Sequence, residues 1–391
     1  MTVLVAGAGI GGLTAALSLR TAGIPVTVVE SARRIRPLGV GINLLPHAVR
    51  ELVELGLGGE LAAIGVATAE NVYCDHHGNR VFTEPRGMAA GYRWPQYSVH
   101  RGELQMLLLD AVRDRVRTGA RVEDFEQTSR SVRVRLTDTG RSEELEADAL
   151  IGADGIRSAV RARLHPGEGP LLWSGTVMWR GTTTAPPMLT GRSMLIAMDD
   201  RHVQFLAYPI GRGRINWVAQ VPMGEPGPLA EGGRWNRAGR PEDVLPHYEQ
   251  WEFDWLDIPG LIRGSAGILE YPMVDREPLP SWGNGRVSLL GDAAHPMYPV
   301  GANGASQSVV DARVLARELA ATGDPVAGLT AYERARRDAT AAVVLANRRM
   351  DRAARNDGAA LGAVTATYRA STGADVAALN GRASLNPLRS G

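Results

Sequence analysis

Thr2-Val3-Leu4-Val5-Ala6-Gly7-Ala8-Gly9-Ile10-Gly11-Gly12 decides the fold. Thr2–Ala6 is a short apolar, β-branched run, the pattern of a buried strand. Leu13–Arg20 has helical spacing and stops near Gly23. Pro25–Glu30 reads as a second buried strand, so the opening is a βαβ unit of an α/β fold. Gly7 allows the tight turn, Gly9 lets backbone approach a pyrophosphate, and Gly12 lets helix and strand pack closely. The helix start at Ile10-Gly11 attracts the phosphates. Glu30 ends the second strand, where a carboxylate can accept from both hydroxyls of an adenosine ribose and would repel a 2′-phosphate. Alone, the glycine pattern does not separate FAD from NAD. Gly56–Gly59 follows a helix rather than a strand, so no second fingerprint is read.

Working outward, 391 residues are enough for two domains. Apolar residues at 44% and charged residues at 22% describe a globular chain. A net charge of +1 gives no electrostatic case for nucleic acid or an anionic membrane. No apolar run approaches the roughly 18 residues of a membrane span. No signal peptide is read, and Cys74 alone cannot form an internal disulfide, so a cytoplasmic location is expected. Every basic residue is arginine.

Further along, Pro46–Leu55 and Glu103–Arg115 read as helices. Arg121–Glu126, Val132–Leu136 and Glu144–Glu146 read as a meander. Ala149–Ile151 and Val287–Leu290 are buried strands that end in glycine turns, like the first. Phe205–Tyr208 and Ile215–Gln220 alternate as strands, within a stretch that holds Trp173, Trp179, Trp217, Trp235, Trp251 and Trp255. Ala305–Ala320 and Leu329–Arg355 read as helices, and the tail beyond Gly358 as weakly helical. The expected organisation is a nucleotide-binding domain over 1–70, 98–170 and 272–391, with a covering sheet domain from 71–97 and 171–271.

Three more segments complete a pattern. Ser98-Val99-His100-Arg101-Gly102-Glu103-Leu104 places an arginine at a helix start. Ile151-Gly152-Ala153-Asp154-Gly155-Ile156-Arg157-Ser158 carries an Asp-Gly pair. The third is Leu290-Gly291-Asp292-Ala293-Ala294-His295-Pro296-Met297-Tyr298-Pro299-Val300-Gly301-Ala302-Asn303-Gly304. Their order and spacing resemble the group A flavoprotein aromatic monooxygenases, over nearly the whole chain to about Arg355. Ile35–Asn43, Tyr97–Met106, Met178–Gly181 and Tyr271–Arg276 are similar to the phenazine-carboxylate hydroxylase branch of that family.

The resemblance implies a Rossmann-like FAD-binding domain of the p-hydroxybenzoate hydroxylase type, an inserted substrate-binding β-sheet and C-terminal helices. It implies FAD as cofactor, NADH or NADPH as transient reductant and O2 as co-substrate. A flavin C4a-hydroperoxide would hydroxylate a small aromatic or N-heteroaromatic substrate of phenazine- or salicylate-like kind, with or without loss of CO2. By position, Glu30 would hold the ribose, Arg101 the diphosphate or ribitol region, and Asp292 a ribitol hydroxyl. Asp154 and Arg157 would support the cleft, and Val40-Gly41-Ile42 would line the isoalloxazine. Pro299 and the backbone N–H groups of Gly301, Ala302 and Asn303 would face the flavin pyrimidine edge, where a helix N-terminus stabilises reduced-flavin charge.

Against these stand plainer readings. Asp154 fits a turn, and His295 fits packing or hydrogen bonding better than a catalytic base. His76-His77 is no metal pair, since strand neighbours point to opposite faces, and no metal is expected. The tryptophans are mostly core. Substrate contacts are expected from Arg180, His202, Gln204 and Tyr208, with Leu44, Trp179 and Trp217 as walls. A flavin halogenase is rejected because its chemistry resembles one that needs a lysine. A flavin dehydrogenase or reductase that inserts no oxygen, and a non-catalytic flavin-binding protein, stay open. Either a monomer or a homodimer fits.

Overall fold

The computed structural model describes residues 1–138, 140–230 and 237–356. Trp235 and the tail beyond Gly358 therefore lie outside the described residues. A six-stranded sheet runs Gly283–Asn284, Val287–Leu289, Ala149–Gly152, Val3–Ala6, Val26–Glu30 and Val116–Thr118. Its strands pair in parallel except for the short edge hairpin at Gly283–Asn284. Val5 sits between Ile151 and Val28, all fully buried. Helices cover such a sheet on both faces, which is why these strands carry continuous apolar runs. Helix Ile10–Thr21 packs on Asn303–Thr322, which packs on Pro325–Asn356.

Parallel pairing has one consequence for function. Val3–Ala6, Ala149–Gly152 and Val287–Leu289 all end on the same edge. Their glycine turns at Gly7–Gly12, Ala153–Ser158 and Gly291–Asp292 therefore meet there, although up to about 280 residues separate them in sequence.

The meander comprises Ala120–Gln127, Val132–Asp138 and Arg141–Ala147. A larger sheet runs Arg237–Gly239, Ile268–Asp275, Leu172–Thr184, Arg214–Pro222, Gln204–Pro209, Ser193–Met198, Glu70–Asp75 and Arg80–Pro85, with Gly227–Pro228 paired to the side. Its far edge is built by the early segment 70–85, joined in parallel to Ser193–Met198. A third small sheet joins Gly41–Leu44, Gln96–His100 and Gly65–Thr68.

The structure refines several expectations. The fourth helix spans Arg101–Val112, and Arg113–Arg115 is a separate 3-10 turn. Gly41–Leu44 is a strand, a pattern hidden in sequence by its glycine and short length. His76 and His77 lie in the turn after Glu70–Asp75 with ring centroids 3.9 Å apart, so strand alternation does not separate them. Among the described residues, no helix is long and apolar enough to cross a membrane.

The larger sheet has two unlike faces. On one, Trp179, Phe205, Trp217 and Leu195 are buried against Val244, Tyr248, Trp251, Ile258 and Leu261 from segment 241–263. The other face carries Met178, Arg180, Gln204, Leu206, Tyr208 and Val218 and bounds a cavity. Neighbouring residues on a strand point to opposite faces.

Candidate active site

A cavity of about 470 Å³ lies between the glycine turns and the larger sheet. At its nucleotide end, Gly7 has φ +103° and Gly12 sits against it. A Cβ on Gly12 would meet the Gly7 carbonyl oxygen at 2.0 Å, and one on Gly7 would meet the Ala153 carbonyl oxygen at 2.5 Å. Gly9 is different, with nothing within 4 Å of where a Cβ would stand. Gly9, Ile10 and Gly11 line the cavity. The turn is held from outside by Glu30, whose carboxylate accepts from Ala8 N at 2.9 Å and Ala32 N at 2.7 Å. Gln105 donates to the Ala8 carbonyl at 2.7 Å. This is an open cradle backed by rigid contacts, as a diphosphate requires.

Across the cavity stand Arg101, Gly291, Asp292, Pro299, Gly301 and Ala302. Asp292 opens onto the cavity, and its depth in the fold pushes its carboxyl above the usual carboxylate range, while His295 and Arg101 pull it back. Gly301 (φ +74°) and Ala302 (φ +60°) both take left-handed backbone just before helix Asn303–Thr322. That conformation costs a non-glycine residue about 1–3 kcal/mol and persists where surroundings impose it. It aims the start of the helix, with its unpaired N–H groups, at the cavity. Asn303 is fully buried behind this turn, its Nδ2 donating to the Gly301 carbonyl at 3.2 Å. Val40 and Gly41 sit just behind the lining. Arg101 N donates to the Val40 carbonyl at 2.9 Å, and Ile42 and Asn43 face the cavity. An open cradle, an acid, an arginine and a helix start on one cavity fit FAD. Asp292→Ala is expected to weaken FAD binding roughly ten- to a hundredfold, the loss of a charge-assisted hydrogen bond. Titration of the apo-protein with FAD checks this, and an unchanged dissociation constant would remove Asp292 from the site.

Asp154 lies behind Ala153 and Gly155, which line the cavity. Its Oδ2 accepts from Ala159 N at 2.8 Å and Val160 N at 3.4 Å, holding the start of helix Ala159–Leu164. His295 is buried against Trp282, and its Nε2 meets Asp311 Oδ2 at 2.5 Å. Asp311 also accepts from Arg336 Nε at 2.7 Å and Gly291 N at 3.3 Å. His295 thus belongs to a buried hub that fixes the Gly291–Asp292 turn to two long helices. Burial pushes the Asp311 carboxyl up, but His295 and Arg336 outweigh it and hold it below its usual value. A depressed carboxyl adds stability above its unfolded-state pKa and loses it as pH falls through the folded value. Asp311→Ala is expected to cost about 3–5 kcal/mol, because it leaves the buried Arg336 guanidinium without its carboxylate. Urea denaturation at neutral pH measures that loss.

The sheet end of the cavity is lined by three of the residues from which substrate contacts are expected, Arg180, Gln204 and Tyr208. Arg180 donates to the Gly41 carbonyl at 2.7 Å, and its Nε has no partner. Tyr208 donates to the same carbonyl at 3.0 Å, and burial raises its phenol pKa. Gly41 N donates to Asn216 Oδ1 at 2.6 Å. Four of the seven expected contacts lie elsewhere. Trp179 and Trp217 point to the opposite sheet face, where Trp179 Nε1 donates to Glu270 at 3.3 Å and Trp217 Nε1 to Ser265 at 2.8 Å. His202 sits in the tight turn between Ser193–Met198 and Gln204–Pro209 with φ +61°, off the lining. Leu44 is fully buried in the main hydrophobic core, which also packs the six-stranded sheet. Sequence reading missed Asn43, Asn71, Tyr73, Glu84, Arg86, Gln96, Met194 and Ile196, which also line the cavity. Alternation along Glu70–Asp75 was the available signal, but it does not say which face turns inward.

With this geometry in view, the chain can be set beside known proteins. A family described as "FAD binding domain" matches residues 1–347. The phenazine 1,6-dicarboxylic acid hydroxylase PhzS of Lysobacter antibioticus is 52% identical over 391 residues, covering 94% of this chain and 96% of that one. The 3-hydroxybenzoate 6-hydroxylase 1 of Aquipseudomonas alcaligenes is 33% identical over 352 residues, 87% of this chain and 86% of that one. Among solved structures, Klebsiella pneumoniae HpxO complexed with FAD and uric acid superimposes with a TM-score of 0.80 at 26% identity, covering 95% and 93% of the two chains. The chain belongs to the FAD binding domain family and, within it, to the group A flavoprotein aromatic monooxygenases. It is an FAD-dependent aromatic hydroxylase.

Proposed function

We propose that this enzyme hydroxylates a planar aromatic or N-heteroaromatic carboxylate of phenazine- or salicylate-like kind, using O2 and NADH or NADPH. The observation that carries the reading is the continuity of the cavity from end to end. It joins the Gly9–Gly11, Asp292 and Gly301 end to a sheet face with Arg180 at one side and apolar residues in the middle. The carboxylate named for the relative from Lysobacter supports the same substrate class.

Bound FAD supplies the redox chemistry, taking hydride from the nicotinamide and activating O2 for transfer of one oxygen atom. The chain supplies binding, orientation and exclusion of water. Gly9 and Gly11 receive the diphosphate on the turn that Gly7 and Gly12 shape, Glu30 the ribose, and Arg101 and Asp292 the diphosphate–ribitol stretch. The start of helix Asn303–Thr322 presents N–H groups to the pyrimidine edge, where negative charge collects on reduction. Arg180 turns a guanidinium edge to the substrate carboxylate, a planar match for two oxygens. Leu206, Val218 and Ile196 keep the ring dry. Residues 1–70, 98–170 and 272–391 would hold FAD, and 71–97 with 171–271 would cover it. We place the enzyme in the cytoplasm, as a monomer or homodimer.

A screen of aromatic and N-heteroaromatic acids for stimulated NADH oxidation, with product mass, tests the proposal. A heavier product marks simple hydroxylation, and a lighter one marks loss of CO2. Stimulation by none of the carboxylated rings would sink it.

A further inference from the structure

The register of the larger sheet lays out the chamber floor. One row runs Arg180, Val218, Leu206, Ile196, Tyr73 across five strands. Beside it, Met194 pairs with Asn71 and Asn71 with Glu84. The floor is therefore polar at both ends and apolar between. Four strand spacings separate Arg180 from Tyr73, roughly 19 Å of backbone.

The end opposite Arg180 is a built polar corner. Asn71, Tyr73, Glu84 and Gln96 are each more than nine-tenths buried, yet all line the cavity. Tyr73 donates to Glu84 Oε2 at 3.3 Å and bonds Asn71. Because the phenol proton goes to Glu84, Asn71 must give its amide N–H to the phenol oxygen. That leaves Asn71 Oδ1, which has no partner. Burial first, then Glu84, pushes the Tyr73 phenol up to about 12, so it stays protonated. Arg86 also lines the cavity, 3.5 Å from Glu84 Oε1 and donating from Nε to Gln96 at 3.1 Å. The corner thus holds a donor in Arg86 and an orphaned acceptor in Asn71. An unpaired buried acceptor costs about 1–3 kcal/mol unless a ligand supplies its partner.

We propose that Asn71, Glu84 and Arg86 form a second recognition subsite, which takes a carboxyl or hydroxyl group at the far end of an elongated planar substrate. This rests on the proposed function, with the first carboxylate on Arg180. Arg86 donates to the substituent's oxygen, and Asn71 accepts from its proton when it carries one. Glu84 holds Arg86 and Tyr73 in place. The subsite selects substrates long enough to touch both ends.

The test uses FAD-loaded enzyme and two probes, phenazine-1-carboxylate and 6-hydroxyphenazine-1-carboxylate, whose hydroxyl can accept from Arg86 and donate to Asn71. Dissociation constants come from the change in flavin absorbance on binding. The wild type is expected to bind the disubstituted probe at least about tenfold more tightly, the contribution of one charge-assisted hydrogen bond. In Asn71→Ala and Arg86→Met that ratio falls toward one. Should Asn71→Ala fail to fold, Arg86→Met carries the test, its side chain being 19% exposed. Equal affinities in the wild type, or a ratio unchanged in both variants, would overturn the subsite. Predicted ratios without any oxygenated product would support the subsite and defeat the proposed hydroxylation. Failure of both probes to bind would overturn both.

Discussion

Arg180→Ala is expected to lower kcat/KM for carboxylated substrates by roughly a hundredfold or more, while the protein still purifies with FAD. The magnitude follows from removing one partner of a desolvated charge pair, about 2–5 kcal/mol. The selectivity follows from geometry. Arg180 shares the Gly41 carbonyl with Tyr208, and Gly41 N is held by Asn216. Losing Arg180 therefore leaves Gly41 anchored on the flavin side. Arg180→Lys should recover only part of the loss, because an ammonium cannot present two parallel N–H groups to a carboxylate. Steady-state kinetics with a series of aromatic acids, alongside the flavin-to-protein ratio, checks both halves. Unchanged kcat/KM would take Arg180 out of the substrate site.

Gly9→Ala should abolish tight FAD binding without weakening the apo-protein. Its backbone is not left-handed (φ −73°), and an added Cβ would meet nothing within 4 Å. The methyl group would instead occupy space that the diphosphate needs, a steric cost on the order of 1–3 kcal/mol and up to about a hundredfold in affinity. Gly12→Ala makes the contrast. There the methyl group would stand 2.0 Å from a backbone oxygen, so the apo-fold itself should lose stability. Urea denaturation of both apo-proteins, followed by FAD titration, separates the two roles. A Gly9→Ala protein that binds FAD like the wild type would refute the cradle.

The nucleotide half was legible because its signals are local. A strand that ends in Gly7 and a strand that ends in Gly291 announce themselves within a few residues, and parallel pairing brings them together. The chamber was less legible because its walls are set by tertiary choices. Along Leu172–Thr184, alternation puts Trp179 opposite Met178 and Arg180, but either face could have turned inward. The aromatic residues made Trp179 and Trp217 attractive walls. In the structure they are covered by segment 241–263 instead. Asn71 and Glu84 join the chamber through a parallel pairing with a strand more than a hundred residues later, which no short motif encodes. Asp311 reads in sequence as one polar residue in a helix. Its role emerges only when His295, Arg336 and Gly291 close around it.

Turnover of an aromatic carboxylate under isotopically labelled dioxygen tests the central claim most directly. The FAD-loaded protein, supplied with NADH and a ring acid that stimulates its oxidation, should yield a product carrying one labelled oxygen atom. Stimulated NADH oxidation whose oxygen is recovered only as hydrogen peroxide, with no label in any aromatic product, would contradict it.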